Sequence, residues 1–176
     1  MDTEDQHKLY CFDTSAFVAL NRTDESVISI PASLWEHLEK MMRQGDLVSH
    51  KIVFNEIDSA TEHPDFITQW IRGKESFFLD KTPAQILKVP EIIAKFPALI
   101  NYEMEREQAD PWIVALAIEK AREQKLFEKV LPIVISQESY KSPMKIPAVC
   151  KHFGILHKSL KEFFGEIGLS ATISVR

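Results

Sequence analysis

The sequence predicts an α/β fold in which a parallel sheet is flanked by helices. Residues 7–12 and 131–135 contain short apolar runs, which are typical of strands buried inside a sheet. Between them lie segments whose apolar residues recur at helical spacing, such as Leu34, Leu38 and Met41. Strands that alternate with helices favour a parallel sheet covered by helices.

The first half of the chain predicts helices between short strands. Pro31 suits the first turn of a helix, and Gly45 is a typical end of one. The predicted order is a strand at 7–12, a helix from 16, a loop at 21–29, a helix from 31 to 45, a brief strand at 47–48 and a helix at 51–60 capped by Ser49.

The second half continues the alternation. Residues 62–73 predict a helix, 77–79 an apolar run of either type, 84–96 one or two helices interrupted at Pro90, and 131–135 a strand. Asp110-Pro111 predicts a helix start with Asp110 as the N-cap, because proline suits the first helical position. The residues that follow are apolar on every side, so we expect this helix to be deeply buried.

Length and composition predict one domain spanning residues 1–176, with residues 139–176 as a basic extension packed on it. An apolar fraction of 45% is ordinary for a globular protein. No run approaches the ~18 apolar residues that a membrane span needs, so no membrane partner is expected. The acidic start of the chain lacks the apolar core of a signal peptide, which indicates a cytoplasmic protein.

Charge is distributed unevenly along the chain. The net charge is −5, but residues 1–138 carry −9 and residues 139–176 carry +4. A charge run of this kind is either a solvated surface or a positive lip that attracts phosphates. In the second interpretation, Lys141, Lys145 and Lys151 would guide a phosphate backbone.

Four acids stand beside apolar segments, where solubility does not explain them: Asp13, Glu56, Asp110 and Glu138. Asp13 and Glu138 follow predicted strands, and Asp110 starts a helix, so these three are expected at the carboxyl edge of the sheet. Glu56 is expected on the core face of its helix. Each acid also has an ordinary alternative. Asp13 could be a turn residue and Glu56 could face solvent. Asp110 could be only an N-cap, and Glu138 could be a surface loop acid.

Converging carboxylates predict a cation. At about 5 Å, each pair would repel by ~3 kcal/mol at an effective dielectric near 20. Mg²⁺ or Mn²⁺ prefers oxygen ligands and would remove this repulsion. A metal held by acids suits phosphodiester hydrolysis. Ser15 and Ser136, with Thr14 as an alternative, could hydrogen-bond the ligating acids.

Four segments of the chain resemble the ordered acidic motifs of PIN domains, which are metal-dependent ribonucleases and include VapC-type toxins. These segments are residues 10–15, 55–56, 109–117 and 133–138. The chain is most similar to an uncharacterised prokaryotic PIN-like subfamily, through residues 34–35 and 145–155. The resemblance covers residues 8–165. The last motif differs, because it reads Ser136-Gln137-Glu138 where the family usually ends in Asp.

The resemblance implies a PIN-like fold, with a Rossmann-like parallel sheet of four to five strands flanked by helices. It also implies a metal-dependent endoribonuclease that is the toxin of a prokaryotic toxin–antitoxin module. It implies Mg²⁺ or Mn²⁺ at Asp13, Glu56, Asp110 and Glu138, an RNA substrate and a cognate antitoxin protein; a homodimer is a further expectation. One alternative is a non-catalytic binding module with a PIN fold. Another is a haloacid-dehalogenase-type phosphatase, but that class needs an Asp at the position of Ser15.

Overall fold

An all-parallel sheet of five strands, flanked by helices, forms the centre of the molecule and confirms the predicted α/β class. The computed structural model describes residues 6–25, 32–59, 64–123 and 129–169. The strands are β1 Gln6–Phe12, β2 Leu47–His50, β3 Phe78–Leu79, β4 Lys129–Ile135 and β5 Leu156–Lys158. The helices are α1 Thr14–Glu25, α2 Ala32–Gln44, α3 Lys51–Ile57, α4 Phe66–Ile71, α5 Pro83–Lys95, α6 Ala109–Arg122, α7 Ile146–Phe153 and α8 Leu160–Glu166, with 3₁₀ turns at Glu75–Phe77 and Pro97–Leu99.

The sheet has a point at which its strand order reverses. The spatial order is β3-β2-β1-β4-β5, so the chain builds outward from β1 on one side and then crosses to β4 on the other. β1 and β4 pair along seven residues, from Gln6 with Lys129 to Phe12 with Ile135. In open α/β sheets, ligands bind at the carboxyl ends of the strands beside such a reversal. The residues that follow Phe12 and Ile135 therefore lie where a ligand site is expected.

The core forms around β1 and α6. The last four residues of β1 are buried, and α6 is buried at nearly every position from Ala109 to Ile118. This confirms the expectation that the helix after Asp110 lies deep in the molecule. Phe163 of α8 closes the other side, with its ring centroid 4.9 Å from that of Tyr10 and 5.0 Å from that of Phe12.

Two predicted interruptions are absent from the described helices. Helix α1 continues through residue 25, although a loop was expected from residue 21; residues 26–29 lie outside the described part. Asn21 is held there by tertiary partners, because its side chain donates to Asp65 and accepts from the N–H of Ile67. Helix α5 is continuous through Pro90, which lies on its exposed face while Val89 and Ile92 are buried.

The start of α3 also differs from the prediction. The capping side chain is His50, whose Nδ1 accepts from the N–H of Ile52 at 3.1 Å. Ser49, the predicted cap, instead donates its hydroxyl to the carbonyl of Phe12 at 2.6 Å. The helix predicted at 62–73 is shorter, since α4 covers Phe66–Ile71 and residues 62–63 lie outside the described part.

The basic C-terminal segment contributes to the sheet itself. β5 pairs with β4 in parallel, and the side chains of α8 pack on β1. Residues 146–166 are therefore integral to the architecture, while residues 170–176 lie outside the described part. In the described part of the chain, no helix has the length and apolarity to cross a membrane.

Candidate active site

A pocket of about 360 Å³ opens where β1 and β4 end. Asp13 is the first residue after β1, and its N–H donates to the carbonyl of Ile135, the last residue of β4, at 3.0 Å. The pocket brings together all four acids singled out in the sequence. Its lining is Asp13, Thr14, Ser15, Val18, Ala19, Glu56, Asp110, Gln137 and Glu138.

Asp13 is a buried carboxylate with one oxygen satisfied and one not. Only 2% of the residue is exposed. Its Oδ2 accepts from the N–H of Ser15 at 3.0 Å and from the hydroxyl of Ser15 at 2.7 Å. Its Oδ1 is buried and has no hydrogen-bond partner among the described residues. The pKa of Asp13 is raised to about 6. Burial is the main cause, the Ser15 hydrogen bonds act against it, and the charges of Glu138 and Glu56 add to it.

Ser15 joins the ends of the two strands. Its hydroxyl donates to Asp13 and accepts from the N–H of Gln137 at 2.9 Å. One side chain thus fixes the Asp13 carboxylate relative to the turn that carries Glu138. The geometry agrees with the supporting position predicted for Ser15.

Glu56 connects α3 to the start of α6. Its Oε1 accepts from the N–H of Ala109 at 2.8 Å, and its Oε2 accepts from the hydroxyl of Thr14. This corrects the prediction that Asp110 caps the helix. Helix α6 begins at Ala109, and its N-cap residue Gln108 makes no side-chain capping bond. The N–H of the buried Ala109 is satisfied by Glu56 from another element.

Asp110 lies in the first turn of α6 and is the most perturbed acid of the pocket. Its pKa is raised from 3.8 to about 8, chiefly by burial and then by the negative charges of Asp13, Glu138 and Glu56, while Lys145 acts in the opposite direction. Carboxyl groups with such a pKa are held in an environment that disfavours their charged form. Protonation of the carboxylate, or a cation bound to it, would remove the free-energy cost of this poorly solvated charge.

Glu138 is held on both of its oxygens. Oε2 accepts from the N–H of Ile146, the first residue of α7, at 2.8 Å, and Oε1 lies 3.1 Å from Nζ of Lys145. Glu138 lies in the loop between β4 and α7, but its side chain is 15% exposed and lines the pocket.

The remaining predicted residues lie at different distances from the acids. Ser136 is buried, and its hydroxyl is 2.8 Å from Nε2 of His157 instead of contacting an acid. Lys145 is at the pocket through Glu138, and Lys141 is exposed in the turn before it. Lys151 is six residues beyond Lys145, in the last turn of α7, about 9 Å farther along the helix.

The sequence analysis did not predict a hydrogen-bonded network of side chains that lies beside the site. His50 accepts from Ile52 at Nδ1, so its Nε2 carries the proton and donates to Oε1 of Gln85 at 3.0 Å. Gln85 then donates to Glu119 at 2.6 Å. The His50 ring stacks on Trp112, with centroids 5.2 Å apart. Burial lowers the pKa of His50, which keeps the ring neutral and the chain of donors intact.

This hydrogen-bonded network connects α3, which carries Glu56, to α5 and to α6, which carries Asp110. The one available signal in the sequence was a histidine after the short predicted strand at 47–48. The residues that complete the chain are 35 and 69 positions away, so spacing could not reveal it.

The chemistry of the donor set suits a hard divalent cation, since the pocket offers carboxylate and hydroxyl oxygens. The partnerless Oδ1 of Asp13 is a buried acceptor that such an ion would satisfy. Among the described residues, the side chains as they stand bring no group of three or more His, Cys, Asp or Glu into a metal-binding arrangement. Magnesium often binds one or two carboxylates and keeps several waters, so the pair Asp13 and Asp110 fits this mode.

Comparison with known proteins gives a family. The model of a family described as "Domain of unknown function (DUF4411)" matches residues 10–170. No curated protein matches the chain. A solved chain in the crystal structure of VapBC2 from Rickettsia felis, bound to a DNA fragment from their promoter, is similar with a TM-score of 0.49. The two sequences are 12% identical, and the alignment covers 86% of this chain and 98% of that one. A similarity of this size says nothing about activity or partners.

The raised pKa of Asp110 predicts that the metal-free protein is destabilised by this side chain at neutral pH. An acid whose folded-state pKa is about 8, against 3.8 ordinarily, costs stability increasingly as pH rises through that window. We expect Asp110→Asn to raise the free energy of unfolding by about 1–3 kcal/mol at pH 8 in the presence of a chelator. The gain should shrink steadily toward pH 5, measured by urea denaturation.

The control is Glu36→Gln, which removes an exposed carboxylate from α2 and should leave the pH dependence of unfolding unchanged. An Asp110→Asn protein that is less stable than the wild type at pH 8 would contradict the assignment of a disfavoured charge.

Proposed function

The chain belongs to the DUF4411 family, and we propose that it is a metal-dependent endoribonuclease whose active site is the pocket between β1 and β4. One observation carries the proposal. Asp13, which is buried, and Asp110, which is partly buried, line one pocket at the reversal of the strand order, each with a pKa raised by burial and by neighbouring carboxylates. A stable protein retains such a cluster at a cost, which is typical of an active site.

The two pairs of acids have different roles in this proposal. Asp13 and Asp110 would hold Mg²⁺ or Mn²⁺. When bound, the ion would activate a water for attack on a phosphodiester and neutralise charge on the scissile phosphate. Glu56 and Glu138, whose oxygens accept from the N–H groups of Ala109 and Ile146, would orient that water and the inner acids.

The residues around the acids keep them in place. Ser15 holds Oδ2 of Asp13 from two directions, which leaves Oδ1 as the oxygen available to a ligand. Thr14 donates to Glu56 and so links the turn after β1 to α3. A phosphodiester would approach over the turn at 137–145, where Lys141 and Lys145 carry positive charge.

A second candidate is a non-catalytic binding module. It is favoured by the satisfaction of Glu138 within the protein, since Ile146 and Lys145 occupy both of its oxygens. Such a module would retain the pocket as a structural feature without hydrolysing RNA. The experiments below separate the two candidates.

The first expectation concerns cleavage. Purified wild-type protein with Mn²⁺ should cleave a structured RNA, and Asp13→Asn or Asp110→Asn should reduce the rate at least 100-fold, because each removes a carboxylate that holds the ion. The measurement is the rate of product formation on denaturing gels. Glu36→Gln should cleave like the wild type, and unchanged cleavage by the Asp13→Asn protein would refute the proposal.

The second expectation concerns metal binding. An ion that binds only the native state stabilises it, by about 2.7 kcal/mol at 100 times the dissociation constant. For a chain of this size, the melting temperature should rise by roughly 5–10 °C with Mn²⁺. Asp13→Asn and Asp110→Asn should lose most of this shift. A wild-type protein that does not respond to Mn²⁺ would favour the binding module.

The third expectation concerns the toxin role, which we propose from the resemblance to PIN domains together with a cognate antitoxin as partner. Induced expression in a bacterial host should arrest growth within a few generations. Asp110→Asn should relieve the arrest at the same protein level, because that side chain is essential to the proposed site. Growth arrest that persists in the Asp110→Asn strain would assign toxicity to something other than RNA cleavage.

A further inference from the structure

Glu138 is treated differently from the other acids of the pocket. Its Oε1 lies 3.1 Å from Nζ of Lys145, and within the described ranges no other carboxylate of the pocket has an ion pair. Its Oε2 accepts from the N–H of Ile146 at 2.8 Å. The ammonium group and a divalent cation repel each other, so an ion that approaches Oε1 of Glu138 would compete with the contact from Lys145.

The contact with Ile146 is fixed by the backbone. Helix α7 begins with Ile146-Pro147, its N-cap residue Lys145 provides no side-chain cap, and proline has no N–H. The next N–H groups, of Ala148 and Val149, already donate to the carbonyl of Lys145. Glu138 is therefore the partner that satisfies the first N–H of α7, and losing this contact would leave a helix end unsatisfied.

The contact with Lys145 can yield. The lysine side chain is 46% exposed and has a flexible four-carbon stem, and exposed ion pairs are weak. It also lies in the field of the inner acids, since the pKa of Lys145 is raised chiefly by Glu138 and to a smaller degree by Asp110 and Asp13. An ammonium group in this field stabilises the carboxylates as long as no stronger cation is present.

We infer that Lys145 is an internal counter-ion of the pocket, which holds Oε1 of Glu138 in the metal-free protein and releases it when a divalent cation binds. The inference rests on the proposed function, because it assumes the metal site. The lysine then competes for one carboxylate oxygen with the ion or with a water that the ion carries. The released ammonium remains beside the pocket, on the 137–145 turn, where it can donate to a phosphate of the substrate.

The test is the affinity for Mn²⁺, measured by isothermal titration calorimetry on the full chain. Lys145→Gln removes the competitor and should lower the dissociation constant about two- to fivefold, the size expected for a partly exposed ion pair. Lys145→Arg keeps the charge and should bind like the wild type. Lys141→Gln removes a neighbouring exposed lysine and should also bind like the wild type, which controls for a general loss of positive charge.

A second background shows whether the effect passes through Glu138. In the Glu138→Gln protein, the added change Lys145→Gln should leave the affinity for Mn²⁺ unaltered. If Lys145→Gln raises the affinity equally in the wild-type and Glu138→Gln proteins, Lys145 acts only through its general positive charge. That result would overturn the inference. Wild-type binding of Mn²⁺ with no effect of Lys145→Gln would overturn the inference and leave the proposed function intact. Absence of Mn²⁺ binding by the wild type would overturn both.

Discussion

The pairing of β1 with β4 is the constraint on which the pocket depends. Seven residue pairs in parallel register end together at Phe12 and Ile135, so the chain leaves both strands at the same height and on the same edge. Asp13 is then locked to Ile135 by a backbone hydrogen bond, and Ser15 spans the gap to Gln137. Shifting one strand by a residue would turn its side chains to the opposite face and separate the acids.

Two acids of the pocket have a negative charge that is stabilised by the N-termini of α6 and α7, and the other two have a pKa that burial raises. Glu56 and Glu138 accept hydrogen bonds from the first residues of α6 and α7, where helix N-termini favour negative groups. Asp13 and Asp110 accept no N–H group from α6 or α7 among the described contacts, and burial raises the pKa of both. The carboxylates of Glu56 and Glu138 are therefore stabilised by the N-termini of α6 and α7. The unfavourable negative charge is that of Asp13 and Asp110, and a bound ligand can relieve it.

The helices that carry the acids are positioned by groups that are not acids of the site. Helix α6 is apolar around its whole circumference and cannot move without exposing its buried side chains, so the height of Asp110 is set by hydrophobic packing. The chain of hydrogen bonds from His50 through Gln85 to Glu119 fixes α3 and α5 against that helix. Local changes in this support should alter the distance between Glu56 and Asp110 without touching either.

The sequence by itself determined the α/β class, the main strands and the residues that would lie near the site. This was possible because the carboxyl ends of parallel strands share an edge, so Asp13 and Glu138 could be placed from periodicity alone. Only the tertiary structure decided which oxygens are free. That Glu56 rather than Asp110 caps α6, that Ser136 contacts His157, and that Lys145 holds Glu138 all depend on partners brought together by folding. Hydrogen-bond geometry between elements distant in sequence leaves no periodic trace, and for that reason the contacts of the acids could be read only from the folded chain.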